Sequence, residues 1–425
     1  MLTGSALLRP MRAAIAAATL TLAATAVQAA DAPYETFVPR PVGEVLPAEM
    51  VQGPHYRLAP TVGTRAYLNY FVMLSEYGTF DAASDTMLRR LIRENRAITA
   101  LQSITLTDAY AKALAQAALS PVQGVKDLIT QPVQTVSAVP NALFDVFERV
   151  GQGIDTTLSG QKTAYEDSSL AQALQMSSYK RDYAKQLGVD PYSTNPVLQK
   201  ELDSVAWAAA FGNLTISAAT MVSGSAAISA LSYARNLEQA VNIVAAQPPA
   251  ELMIRNKAAL DQMGIDPGLE QEFLGQLQYS PRAKTLLIAA LSAMQGTAGR
   301  SAMLEVALEA PDETMAIFYQ QMAELLNDYD DRVAPIIRIA RYGRLVVGYE
   351  QSGKAVILAP LDWVIWDERA ARGARAIAEA WHLKPGGDTL ELWITGTASR
   401  RFHDEAEALG IRVREQVGRQ LPLVD

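Results

Sequence analysis

The sequence predicts an α+β protein that is mainly α-helical: a helical body with an N-terminal β-hairpin and a small C-terminal α/β domain. Three observations predict it. Apolar residues recur at helical spacing over most of the chain between Ser84 and Asp331, and proline or glycine stands at the breaks. From Pro335 the texture changes to short β-branched runs separated by turn residues.

Residues 1–29 read as a secretory signal peptide. Arg9 and Arg12 give a positive start, Ala13 to Ala26 is apolar apart from threonines, and Val27-Gln28-Ala29 places small or branched residues at the recognition positions, with cleavage expected after Ala29. The apolar run is short for a membrane span, so the chain is expected to be exported to the periplasm. With a net charge of −8 before those two arginines are lost, and no basic stripe interleaved with aromatics, the chain is not a nucleic-acid binder. The absence of cysteine excludes disulfides, thiolate nucleophiles and thiolate-held metals. Stability must therefore come from buried apolar area, which a chain of 425 residues can supply in about two or three domains.

Residues 30–60, rich in proline with few periodic apolar positions, read as an extended N-terminal arm laid over the body. A mainly helical domain is expected over 61–334. It opens with a β-hairpin at about 65–82, where Leu68 to Leu74 is apolar on both faces and Tyr77-Gly78 turns the chain. Ser84 or Asp85 then caps a helix. Its Met87, Leu88, Leu91, Ile92, Ile98 and Leu101 are expected to face the core, and Arg89, Arg90, Arg93, Glu94 and Arg96 to face water. A phosphate-binding role for the arginine run is the competing reading, and a solvated helix face explains it more simply.

Between Ser120 and Phe147, Pro121-Val122-Gln123-Gly124-Val125 returns as Pro132-Val133-Gln134-Thr135-Val136, with Pro140 following. A proline inside a helix costs about 3 kcal/mol, so this reads as a string of short helices. Gly151 to Ser169, polar and without periodicity, reads as a linker. The next helix, through Tyr179, Tyr183 and Leu187, is expected to stop at Gly188, Asp190 to Thr194 to turn, and Asn195-Pro196 to start another by cap plus proline. The stretch Ser178-Tyr179-Lys180-Arg181 through Leu187-Gly188-Val189-Asp190-Pro191-Tyr192-Ser193-Thr194-Asn195-Pro196 to Val205-Ala206-Trp207-Ala208 resembles one in an uncharacterised family of exported proteobacterial proteins. The resemblance implies secretion and a shared fold, and brings no activity or site residue with it.

Ser204 to Ala234 has no charged residue and is long enough for one bilayer crossing. Val205, Phe211, Leu214, Ile216 and Val222 together favour insertion by about 1.5 to 3 kcal/mol, and Asn213, Thr215, Ser217, Thr220 and Ser223 oppose them. The reading adopted is a pair of close-packed helices broken near Gly224, with Trp207, Phe211, Leu214 and Ile216 packing in the core; membrane association through 204–234 is the alternative. Ala246 to Asp331 reads as further helices broken at Pro248-Pro249, Pro267-Gly268 and Pro281.

A small α/β domain is expected over 335–425. Ile336 to Ile339, Arg344 to Tyr349 and Ala355 to Ala359 read as strands, and Glu368 to Trp381 as a helix. Leu390 to Thr395, a helix ending at Gly410, and Ile411 to Val417 read as a β-α-β unit. Gly348 to Lys354 matches the start of a phosphate loop, but Ala355 replaces its Ser or Thr and a strand follows, so it is a hairpin turn at Gln351-Ser352-Gly353. His55, His382 and His403 have no spacing that joins them. Asp328, Asp330 and Asp331 lack the glycine and glutamate of a calcium loop and read as a solvated helix end. Asp367-Glu368 is explained by a helix start. The one candidate ligand site is Thr395-Gly396-Thr397, between a strand end and a helix N-terminus, where free N–H groups can hold an anion.

No cofactor and no metal is called for. The composite expectation is an exported cell-envelope protein acting through protein partners. The rivals are a membrane-associating protein and a hydrolase or small-ligand binder using the C-terminal domain.

Overall fold

The N-terminal arm is where structure and expectation first part. The computed structural model describes residues 32–118, 168–212, 214, 235–382 and 390–424. The signal peptide, the repeat at 120–147, residues 151–167 of the expected linker, Ile216 and Gly224 lie outside the described residues. From Arg40 the arm folds into the protein. Strand β1 (Arg40–Pro41), one-turn helices α1 (Val42–Val45) and α2 (Ala48–Val51), β2 (Gln52–Gly53) and β3 (Tyr56–Leu58) precede β4 (Thr61–Arg65), β5 (Leu68–Ser75) and β6 (Gly78–Ala83). The strands make one six-stranded sheet, in which β5 pairs with β4, β3 and β6, all antiparallel. The arm is drawn in because its own Val42, Leu46, Tyr56 and Leu58 bury against Phe71 and Met73. Its prolines mark helix starts: Pro41 and Pro47 occupy the N-caps of α1 and α2.

Helix α3 (Asp85–Thr105) starts where Ser84 Oγ accepts the Met87 N–H at 3.1 Å. With α4 (Asp108–Ala118), α5 (Ser168–Leu187) and α6 (Pro196–Gly212) it forms a second core around Ile98, Leu101, Tyr183, Leu198, Leu202 and Val205. Ser168 and Ser169, placed in a linker by sequence, belong to α5. Gly188 takes the left-handed φ of 67° that ends it, and Asn195 Oδ1 accepts the Val197 N–H at 3.1 Å as α6 begins. Trp207 and Leu214 are buried in protein, Phe211 lies in the last turns of α6, and that helix ends at Gly212. Among the described residues no helix is long and apolar enough to cross a membrane.

The remaining body helices are α7 (Arg235–Ala246), α8 (Pro249–Met263), α9 (Pro267–Gly275), α10 (Pro281–Ala293), α11 (Ser301–Ala307) and α12 (Glu313–Arg332). Pro249, Pro267 and Pro281 each stand at a helix start, as the spacing predicts. Helix α12 is buried all round from Ala316 to Tyr329 and forms the axis of the largest core.

Strands β7 (Ile336–Tyr342), β8 (Leu345–Glu350), β9 (Ala355–Ala359) and β10 (Trp363–Val364) lead to α13 (Glu368–Ala380). Then follow β11 (Leu390–Ile394), β12 (Thr397–Ala398), α14 (Arg400–Ala408) and β13 (Ile411–Arg414). The main sheet runs β13-β11-β9-β8-β7, with β9, β11 and β13 parallel and β7, β8 and β9 antiparallel. Val346, Val356, Leu358 and Trp393 on one face join the core around α12, and Val347, Ile357, Leu390 and Ile394 on the other join that of α13 and α14.

Two joints tie the chain ends together. Glu35 Oε2 accepts the Trp366 N–H and the Ser399 hydroxyl, both at 2.6 Å. Between β4 and β5, Ala66 and Tyr67 turn with φ of 50° and 68°. The Tyr67 carbonyl accepts from Asp362 N and Trp363 N at 3.0 and 3.1 Å, and its hydroxyl donates to Asp367 Oδ1 at 2.8 Å.

Candidate functional site

The Thr395-Gly396-Thr397 segment does not offer the free N–H groups that its sequence suggests. Gly396 N donates to the Leu361 carbonyl at 2.7 Å and Thr397 N to the Asp362 carbonyl at 3.0 Å, while the Thr395 hydroxyl donates to Leu361 at 3.1 Å. Thr397 and Ala398 pair in parallel with Trp363 and Val364, and helix α14 starts beyond them, capped by Ser399. A side chain at Gly396 would run into the Asp362 carbonyl, so glycine serves close backbone approach. A two-residue strand such as β10 carries no periodicity, which is why sequence reading left these donors free.

The histidines sit apart: His55 Nδ1 is 3.0 Å from Glu76, His382 follows α13, and His403 Nε2 is 2.9 Å from Glu415. The expected solvated helix end is corrected in part, since Asp331 is exposed and Asp330 half-buried but Asp328 is not solvated. Asp328 is buried, 3.6 Å from Arg332, and burial pushes its carboxyl up to about 6, while Asp330 accepts the Ile336 N–H at 2.6 Å.

The face of α3 assigned to water is corrected in part: Arg89 and Arg96 are exposed and Arg93 is half-buried, but Arg90 and Glu94 are drawn into the protein. Arg90 and Glu94 are buried, with side chains 13% and 5% exposed, and lie 3.0 Å apart. Arg90 reaches Glu313 at 3.3 Å and Asp190 at 3.9 Å. Glu94 accepts from the Ser193 hydroxyl at 2.6 Å and from Asn195 Nδ2 at 3.0 Å. Burial opposes the charge on Arg90, but Asp190, Glu94 and Glu313 together hold its guanidinium above the ordinary arginine range. The Asp190 to Asn195 turn is thus the lid of a polar hub that ties α3, α12 and the start of α6. Arg90, Glu94, Ser193 and Asn195 engage one another, while Asp190 Oδ2 is buried without a hydrogen bond and Glu313 stays 27% exposed at the edge.

An open cleft of about 760 Å³ lies where β11 and β13 meet the C-cap of α12 and the residues after Val417. Parallel register sets Glu391 beside Arg412 and Trp393 beside Arg414, and the two-residue strand period turns all four side chains to the α12 face. Glu391 is buried and fully engaged. Its carboxylate accepts from the Trp393 indole at 2.7 Å, Lys354 at 3.0 Å and Arg414 at 3.1 Å, with Arg412 at 3.9 Å. Burial alone would raise this carboxyl, and those donors hold it below its ordinary value. Behind it, Glu350 accepts the Tyr329 hydroxyl at 2.5 Å and the Ser352 hydroxyl at 2.7 Å. At the rim, Glu415 accepts from Ala398 N and pairs with His403, and Arg419 is exposed. Chemically the cleft presents cationic donors in surplus over carboxylates that already have partners. The signal missed in the sequence is an acid inside the apolar strand Leu390-Glu391-Leu392-Trp393-Ile394, with arginines two apart in the strand that follows.

Comparison with protein-family models, with curated proteins and with solved structures gives no match to this chain.

Proposed function

We propose that the protein is an exported cell-envelope protein that works by binding partners in the periplasm, without turnover. The observation that supports this most is the state of its interior acids and bases. A general acid or base needs a titrating atom within reach of a substrate proton. In the hub Arg90 and Glu94 are tied to each other and to the Asp190 to Asn195 turn, and in the cleft Glu391 is surrounded by donors. Such groups rigidify a surface and set its charge, which is what recognition requires. The Arg9, Arg12 and Ala13 to Ala26 pattern supports export.

The test is expression of the full chain in a Gram-negative host, followed by osmotic-shock fractionation and mass measurement of the released protein. The expected product starts at residue 30, leaves with the periplasmic fraction and stays soluble after carbonate washing. Retention in the cytosol with residues 1–29 attached counts against export. Recovery in the carbonate-washed membrane pellet would instead favour insertion through 204–234.

A further inference from the structure

We propose that the cleft beside β13 is a binding site for a small dianionic oxyanion carrying an organic group, a phosphomonoester or a dicarboxylate. Three cations line it, Lys354, Arg414 and Arg419, and Arg412 stands next to it, 3.9 Å from Glu391. Three carboxylates accompany them, Glu350, Glu391 and Glu415, and each already accepts from the protein. The local balance is positive in a chain whose net charge is −8, so the cations are concentrated here against the overall composition.

Geometry favours two negative charges on the ligand. Arg412 and Arg414 project from one face of β13 two residues apart, roughly 6 to 7 Å along the strand. Their side chains are 47% and 49% exposed, so both forks reach solvent, Arg414 in the cleft wall and Arg412 one pleat back along the same face of β13. A guanidinium carries five N–H donors in a planar fork. Arg414 gives one bond to Glu391, which anchors the side chain and leaves further donors for an incoming oxyanion. Lys354 and Arg419 border the same space from β9 and from the segment after β13. Val333 and Val417 supply an apolar wall, suited to an organic portion of the ligand. A volume of about 760 Å³ is that of a small-molecule site.

The experiment is calorimetric titration of the full chain with glycerol 3-phosphate, succinate and inorganic phosphate, repeated on Arg412→Gln/Arg419→Gln. Both substituted residues are exposed, and a thermal melt of the unliganded variant checks that its fold is kept. The expected result is saturable binding of at least one organic dianion, weakened about tenfold or more in the variant and by added salt. Should the double variant fail to fold, Arg419→Glu alone is titrated, with the same weakening expected. Equal affinity in wild type and variant, or saturable binding of none of the three, overturns the proposal. Binding only to phosphatidylglycerol vesicles also overturns it, and would assign the cations to a lipid surface.

Discussion

Glu324 shows how a single residue sets the conditions under which the whole chain is stable. Its carboxylate is fully buried on α12, accepting from Gln320 Nε2 at 2.8 Å and from Val424 N at 3.0 Å. Burial outweighs those bonds and pushes its carboxyl up to about 7. Because the folded state holds this proton more tightly than the unfolded one, its contribution to stability is full below the unfolded carboxyl range. It is then lost as pH rises towards and through 7. The loss is on the order of 3 kcal/mol. Asp328, raised to about 6, adds a loss of the same sign that ends lower. Urea unfolding of Glu324→Gln between pH 5 and 8 is expected to show a shallower decline than wild type, with the difference in slope lying between about pH 5 and 7 and fading above 7. Parallel pH profiles would refute this account. The sequence did not reveal it: Gln320 to Asp331 alternates acids, amides and apolar residues as a surface helix does, and only tertiary packing wraps it on all sides. What was legible at this scale is local chemistry, as at Ser84 and Asp367, whose side chains cap their helices as their positions predict.

At the scale of elements, breaks were legible and partners were not. Pro249, Pro267, Pro281 and Gly188 end or begin helices for reasons within their own few residues, so spacing alone places them. The polar face of α3 was misjudged because its partner, the Asp190 to Asn195 turn, lies about a hundred residues away in sequence. That distance also yields a contrast within one helix. Glu94→Ala leaves Ser193 and Asn195 without their acceptor and Arg90 with Glu313 and Asp190 alone, and is expected to cost about 3 kcal/mol. Arg96→Ala, exposed on the same helix, is expected to stay within about 0.5 kcal/mol. Chemical denaturation of the two variants decides between hub and solvated face; similar small losses in both would return α3 to the solvated reading. The arm of 30–60 runs as an extended strap only as far as Arg40; beyond it the apolar residues, few and aperiodic in sequence, find their partners in β4, β5 and α3.

For the whole molecule the change of texture at Pro335 marks where a sheet begins, and says nothing about what covers it. Ile336, Val346, Val356, Leu358, Trp393 and Leu421 are buried in the same core as α12, while Glu35 and Tyr67 reach the other end of that sheet from the N-terminal side. Exposing large apolar side chains costs roughly 1.5–3 kcal/mol each. Six of them together cost roughly 9–18 kcal/mol, as much as the roughly 5–15 kcal/mol by which a whole domain is stable. Residues 335–425 alone are thus expected to show no cooperative thermal transition and weak near-ultraviolet signals from their tryptophans, whereas residues 30–425 melt in cooperative steps. A sharp transition in the fragment would show that the sheet closes a core of its own. The cleft follows the same logic, since Val333 on the α12 cap and Glu391 on β11 line it together. Its cations all belong to residues 335–425, but Val333 closes the wall and the sheet that holds the cations needs the body for its core, so ligand binding is expected of the intact chain and not of the fragment.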